Sequence, residues 1–377
     1  MLVREGRSMG VVAEGDIQIP SGAEVVDLSG RIIIPGLINT HGHVGGTLGL
    51  EGGHYDRDNL LRQLRLYAAY GVTAVNSLGG DGPEGFALRA EEGSPGLDRA
   101  RLYVAGIVVT GDTPEEALEM VDANAEAGVD WMKIRVDDNL GSTRKMTPDV
   151  FGAVIDRSHA LGLRLASHLF YLEDAKALLR AGTDFIAHSV RDVDVDDEFL
   201  ELLGESGICY SPTLIREVST YVYEDRPDFF DDPFLLAHAD PAVLEQLQDP
   251  ARQQRVRESA SAQRYKEALR VAQRNLERVS QAGVPISFGT DTGPAGRFQG
   301  YFEHMEMDLM AEAGLSPLEI LRSATVDAAR CMGVEDEIGT LAAGRWADFV
   351  VLTEDPLEDI TNARSIESVW IAGERFR

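Results

Sequence analysis

Six side chains of metal-binding type fall where strands of this sequence would end: His41 and His43, Lys133, His168, His188 and Asp291. In a strand, residues i and i+2 point to the same side. His41 and His43 therefore aim two imidazoles at one place, and Gly42 leaves room between them. Two neutral imidazoles converging at a strand end suit a divalent metal. A polar loop with two unrelated histidines would read the same way, so the weight comes from the rest of the set. Half of the eight histidines belong to it.

Lys133 lies in the apolar run Val129-Asp-Trp-Met-Lys-Ile-Arg-Val136. A charged ammonium is costly there, and burial lowers a lysine's pKa. A neutral amine can add carbon dioxide to give a carbamate, an anionic bridge for two cations. The alternative is a lysine that snorkels or pairs with Asp137 or Asp138. Arg135 faces the same way as Lys133 and is either a grip for a substrate carboxylate or a structural ion pair.

These residues need strands to carry them. Ile32–Ile34 is a β-branched run that Pro35-Gly36 breaks, and Leu37-Ile38 resumes it up to His41. Further strand-like runs start at Val72, Leu102, Val129, Leu163, Asp184, Ile208 and Val284. Counted from Ile32 there are eight, with helical or loop material between them. Thr113-Pro-Glu-Glu116 reads as a helix start, and Gly128 as its stop. Strict alternation calls for a parallel sheet, and eight units point to a closed (β/α)8 TIM barrel spanning 35–335. An open doubly wound sheet is the runner-up, but no Gly-rich phosphate turn follows the first strand. In a barrel the site forms at the C-terminal mouth, where this set lies. The short strands of the tail (Asp348–Leu352, Ser368–Ala372) and of the start (Val11–Val12, Glu24–Leu28) read as a small β-sandwich from both termini, residues 1–34 plus 336–377.

Composition limits the partners. A net charge of −28 over 377 residues disfavours nucleic acid and anionic membrane. No apolar run is long enough to span a bilayer. Cys209 and Cys331 make no disulfide scaffold and read as packing residues. No secretory signal is present, which points to the cytoplasm. The N-terminus reads as clipped, however, so a signal upstream of Met1 would lie outside this sequence.

The set Pro35-Gly-Leu-Ile-Asn-Thr-His-Gly-His43, Lys133, His168, His188 and Thr290-Asp291, with the closing Gly339-Thr-Leu-Ala-Ala-Gly-Arg-Trp-Ala-Asp-Phe-Val-Val351, resembles the amidohydrolase superfamily. Within it the chain looks most like the imidazolonepropionase-related branch that includes Xaa-Pro dipeptidases. The resemblance implies the barrel, the sandwich and usually zinc. By that pattern His41, His43 and Asp291 hold one metal, His168 and His188 a second, and a carboxylated Lys133 bridges them. Two things depart from the pattern. The loop after the lysine strand is Asp137-Asp-Asn-Leu-Gly-Ser-Thr-Arg144 rather than Gly-Gly, and Ala187 stands where an acidic residue is frequent.

The expected activity is hydrolysis of an amide or peptide-like C–N bond in a small-molecule substrate. Two cations would acidify a shared water, and Asp291 would relay its proton to the leaving amine. The alternatives are a mononuclear deaminase or cyclic-amide hydrolase with unmodified Lys133, and a non-catalytic paralogue. The insertion of roughly 213–249 holds Arg216, Tyr221, Tyr223, Phe229 and Phe230. It reads as a substrate-binding lid over the mouth, or else as a solvated loop or a subunit contact in a homo-oligomer.

Overall fold

Short parallel strands alternate with helices from Leu37 onward in the computed structural model, which describes every residue except 14, 15, 17 and 377. Leu37–Gly42 pairs in parallel with Val72–Ser77, and that strand with Arg101–Val104. A second parallel sheet holds Met132–Arg135, Leu165–His168, Phe185–Ile186 and Cys209–Tyr210 in chain order. A bridge between Val109 and Ile134 joins the two sheets. Bridges from Ile286 to Tyr210 and from Thr292 to Gly42 set segment 284–292 between their other edges. The expected strand at Val284–Phe288 is thus an irregular segment carrying a single bridge. This is an α/β architecture of parallel strands, in keeping with a TIM-barrel-like fold.

The first strand differs from expectation. Ile32–Pro35 runs antiparallel to Phe349–Leu352, in a sheet completed by Ile366–Ile371 and Glu374–Arg375. The chain changes partners at Gly36, whose N–H donates to the Asp348 carbonyl. A Cβ at Gly36 would lie 2.0 Å from Thr73 Oγ1, so only glycine passes there. Leu37–Gly42 is the strand that carries His41. Val11–Val12 and Glu24–Leu28 form no strand; their valines are exposed, with no neighbouring edge to pair with. Val3–Arg4 and Arg7–Ser8 pair with each other instead.

The helices start where local chemistry dictates. The Thr113 side chain accepts from Glu116 N, Pro114 opens the helix, and Gly128 ends it in the left-handed region. Helix Arg57–Ala69 buries Leu60, Leu64 and Tyr67 against the strands, and Ala260–Gln281 buries Leu269, Leu276 and Val279. Each such aliphatic side chain contributes about 1.5–3 kcal/mol when fully buried.

The insertion is helical rather than a loop. Leu214–Ser219, Pro233–Leu236 and Pro241–Leu247 are helices, and Asp232 and Asp240 cap the last two. After Asp249 the chain forms two helices. Pro250–Glu258 stops at Ser259, whose side chain caps Ala260–Gln281 by accepting from Ala262 N.

Cys209 and Cys331 are disulfide-bonded, which corrects their reading as packing residues. They are 122 residues apart in sequence, with Cα atoms 5.9 Å apart. The bond sits among Trp131, Ala166, Phe185 and Ala187 and ties the seventh parallel strand to helix Val326–Met332. A second tie is ionic. The Arg101 Nε donates to Asp348 Oδ2 at 2.6 Å, both side chains are buried, and the guanidinium lies 4.3 Å over Trp346. It joins the parallel strands to the terminal sheet. Among the described residues no helix is long and apolar enough to cross a membrane.

Candidate metal centre

Four strand ends and one loop bring the six side chains together. His41 closes the strand Leu37–Gly42, and His43 follows it. Lys133 lies in Met132–Arg135, His168 ends Leu165–His168, and His188 follows Phe185–Ile186. Asp291 sits in the loop after 284–288 with φ +59°, a conformation costly for a residue with a Cβ. That backbone is held from outside. Thr290 N and Asp291 N both donate to the His41 carbonyl, and His43 N donates to the Thr292 carbonyl. Gly293 is needed for the approach, since a Cβ there would lie 2.0 Å from the His43 carbonyl oxygen.

Asp291 Oδ1 is 2.9 Å from His43 Nε2 and 3.6 Å from His41 Nε2. One ligand atom from each of these three residues falls within 4.8 Å of the others. The His41 and His188 ring centroids are 4.5 Å apart, and those of His168 and His188 4.3 Å. Lys133 Nζ is 3.2 Å from His41 Nε2.

The outer contacts leave inward nitrogens free. His43 Nδ1 meets the Gly79 carbonyl, His188 Nδ1 meets Thr213 Oγ1, and His168 Nε2 meets Asp137 Oδ2 at 3.0 Å. His188 Nε2 is buried with no hydrogen-bond partner, and His41 Nε2 faces Asp291 Oδ1 and Lys133 Nζ. An orphaned buried nitrogen is costly, and a neutral imidazole can donate its lone pair to a cation. This donor set fits a divalent metal.

The electrostatics agree. Burial pushes the His41 and His188 imidazoles well below the usual histidine range and His168 to about 4, so all three are neutral at physiological pH. Burial lowers Lys133 to about 7. For Asp291 burial acts upward, but Arg297 and the facing His43 and His41 outweigh it and hold the carboxyl well below its usual value. Arg297 Nη1 donates to Asp291 Oδ2 at 2.5 Å.

The residues expected to bind substrate are scattered. Arg216 is buried, with Nε 3.9 Å from Asp291 Oδ2 and no hydrogen-bond partner on that nitrogen. Its Nη2 donates to Tyr265 OH, and the guanidinium lies 4.3 Å over the Tyr265 ring. Arg135 instead lines a cleft of about 310 Å³ with Thr110, Asp112 and Thr143. Tyr223 is buried and donates to the Gly296 carbonyl, so it braces the loop bearing Arg297. Tyr221 is half-buried against the cluster of Phe170 and Tyr265. Sequence reasoning missed Asp137 as a partner of His168, and it missed Arg297 and Glu303. Asp137 was visible as the acidic residue after the lysine strand; nothing in the sequence marks the other two.

Residues 32–376 match the amidohydrolase family model. The chain belongs to the amidohydrolase family and is a hydrolase acting on C–N bonds. It is 27% identical to an uncharacterized protein of Mycobacterium tuberculosis, over 94% of this chain and 88% of that one. It is also 27% identical to ochratoxinase of Aspergillus niger, over 78% of this chain but 56% of the relative. Among solved structures, a Xaa-Pro dipeptidase with bound methionine in the active site superposes with a TM-score of 0.76 at 21% identity, covering 98% of this chain and 93% of that one.

Proposed function

We propose that this chain is a binuclear, zinc-dependent amidohydrolase that cleaves amide or peptide-like C–N bonds. The observation that carries the reading is the meeting of four imidazoles, a carboxylate and a neutral-prone amine at one set of strand ends. His41, His43 and Asp291 would hold one metal, and His168 and His188 the other. Lys133 Nζ, once unprotonated, adds the carbon of carbon dioxide and loses a proton. The resulting carbamate would add an anionic ligand to the residues that hold the metals. We read the eight parallel segments and their bridges as a closed (β/α)8 barrel over 35–335, with residues 1–34 and 336–377 forming a small β-sandwich.

When bound, the metals supply Lewis acidity to a water and to the scissile carbonyl. The chain's own residues do the rest. Asp291 takes a proton from the attacking water and gives it to the departing amine. Arg297 holds the Asp291 carboxylate ionised, so that it is a base at neutral pH. Arg216, with Nε 3.9 Å from Asp291 Oδ2, lies at the leaving-group end and pairs there with a carboxylate on the amine product. Arg191 and Arg216 flank the carboxylate of Glu217, and Arg216 also faces Asp291. Tyr221 and Tyr223 act as walls rather than contacts.

A second reading, a mononuclear deaminase or cyclic-amide hydrolase, is favoured by one observation. Among the histidines, cysteines and acids of the described residues, His41, His43 and Asp291 form the group of three whose ligand atoms all lie within 4.8 Å of one another. Metal analysis combined with turnover on dipeptides and N-acyl amino acids decides. Two zinc ions per chain, bicarbonate-dependent reconstitution and loss of activity on chelation are expected. One ion and no response to bicarbonate would favour the second reading. Indifference to chelation would leave a non-catalytic paralogue.

A further inference from the structure

Glu303 lies in helix Tyr301–Glu312, one turn beyond the loop that carries Asp291, and its side chain is fully buried. A lone buried carboxylate costs several kcal/mol unless its lone pairs are filled. Here they are filled by residues that bracket the candidate ligands. Oε1 accepts from Asn39 Nδ2 at 2.7 Å, from Thr290 Oγ1 at 2.7 Å and from Thr292 Oγ1 at 2.6 Å. Oε2 accepts from Gly300 N at 2.5 Å. Tyr67 OH completes the group, 2.8 Å from Thr292 Oγ1.

Each arm leads to the metal centre. Thr290 and Thr292 flank Asp291 and fix both ends of its left-handed turn. Asn39 Oδ1 accepts from His41 N at 2.9 Å, so the same side chain that donates to Glu303 holds the His41 backbone. His43 N is bonded to the Thr292 carbonyl. One carboxylate thus ties down His41, His43 and Asp291, which lie on two segments about 250 residues apart in sequence. Among the described residues the Glu303 side-chain hydrogen bonds come from Asn39, Thr290, Thr292 and Gly300, and none from an imidazole.

We infer that Glu303 is the positioning residue of the His41–His43–Asp291 half of the metal centre, holding the strained Asp291 turn and the first-strand histidines in ligating register. The inference rests on the metal-site reading above. A carboxylate is needed because every donor points inward. An amide in its place offers one acceptor oxygen and turns N–H against the Gly300 N–H.

The test is zinc binding by the full chain, measured by competition with a chromophoric chelator, alongside thermal melting by circular dichroism. Glu303→Gln is expected to melt at a lower temperature, to stay folded at the assay temperature, and to bind one zinc per chain about 10–100-fold less tightly than wild type. A purely structural role would lower the melting temperature and leave zinc affinity and stoichiometry as in wild type; that result overturns the inference. Thr290→Val, close in volume, removes one arm and serves if Glu303→Gln does not fold. It should weaken zinc binding severalfold, and wild-type affinity in a folded Thr290→Val protein overturns the inference equally. Failure of the wild-type chain to bind zinc at all sinks the metal-site reading, and the inference with it.

Discussion

Lys133 Nζ and His41 Nε2 stand 3.2 Å apart, both side chains buried, on strands separated by 92 residues. Burial, only partly offset by the Asp291 charge, disfavours the ammonium there and brings the neutral amine within reach.

Neutral amine chemistry gives the first prediction. Burial brings Lys133 to about 7, so the unprotonated fraction grows as pH rises through that value. Metal-free protein reloaded with zinc should regain activity faster with bicarbonate than in carbon-dioxide-depleted buffer, and faster above pH 7 than below it. Lys133→Arg cannot form the carbamate and should lose roughly a hundredfold in kcat. Reconstitution rates that ignore bicarbonate would remove the bridge from the mechanism.

Arg216 is predicted to read the charge of the leaving group. Arg216→Gln should raise KM about tenfold for substrates with a free carboxylate on the amine side, at little cost in kcat, because the contact is made equally in ground and transition states. Carboxamide counterparts of the same substrates should be indifferent to the change. Steady-state kinetics on the matched pair checks it, and equal effects on both would place the substrate elsewhere.

The Cys209–Cys331 disulfide closes a segment of 122 residues. Cross-links over loops of this length stabilise by about 2–5 kcal/mol. Cys209→Ser with Cys331→Ser should fold and keep zinc binding, since neither sulfur touches the candidate ligands, but should melt several degrees lower. Calorimetry with and without reductant should give the same shift in wild type and none in the double variant.

Glu306 predicts a pH-dependent stability. Its buried carboxyl accepts from Leu214 N and Ile215 N, and burial raises it to about 8. Between the ordinary 4.5 and about 8, the folded chain keeps a proton that the unfolded chain has released. Its contribution is fully present below that window and is lost as pH rises through it. Urea unfolding at about pH 5.5 and about pH 8 should show wild type weaker at the higher value, and Glu306→Gln should shrink the difference. An unchanged difference would mean that other groups set the profile.

Much of this was legible from local rules. The i, i+2 geometry foresaw that His41 and His43 share a side, and strand ends located Lys133, His168 and His188. Thr113 and Gly128 marked their helix correctly. What local rules could not see was long-range partnership. Ile32–Ile34 is a sound strand, but nothing in it says that its partner is Phe349–Leu352. Cys209 and Cys331 carry no spacing signal at 122 residues. The insertion looked like loop because its helices are short, although the Asp-Pro pairs at 232–233, 240–241 and 249–250 are helix starts. Glu303 looks like any helix-face glutamate until the fold delivers Asn39, Thr290 and Thr292 to it.

The ion pair between Arg101 and Asp348 sets a limit on how the molecule can be cut down. Deleting the last thirty or so residues to obtain a minimal catalyst would strip the guanidinium of Asp348 while leaving it against Trp346. Engineers, and evolution, must treat the chain's two ends and its third parallel strand as one inherited unit.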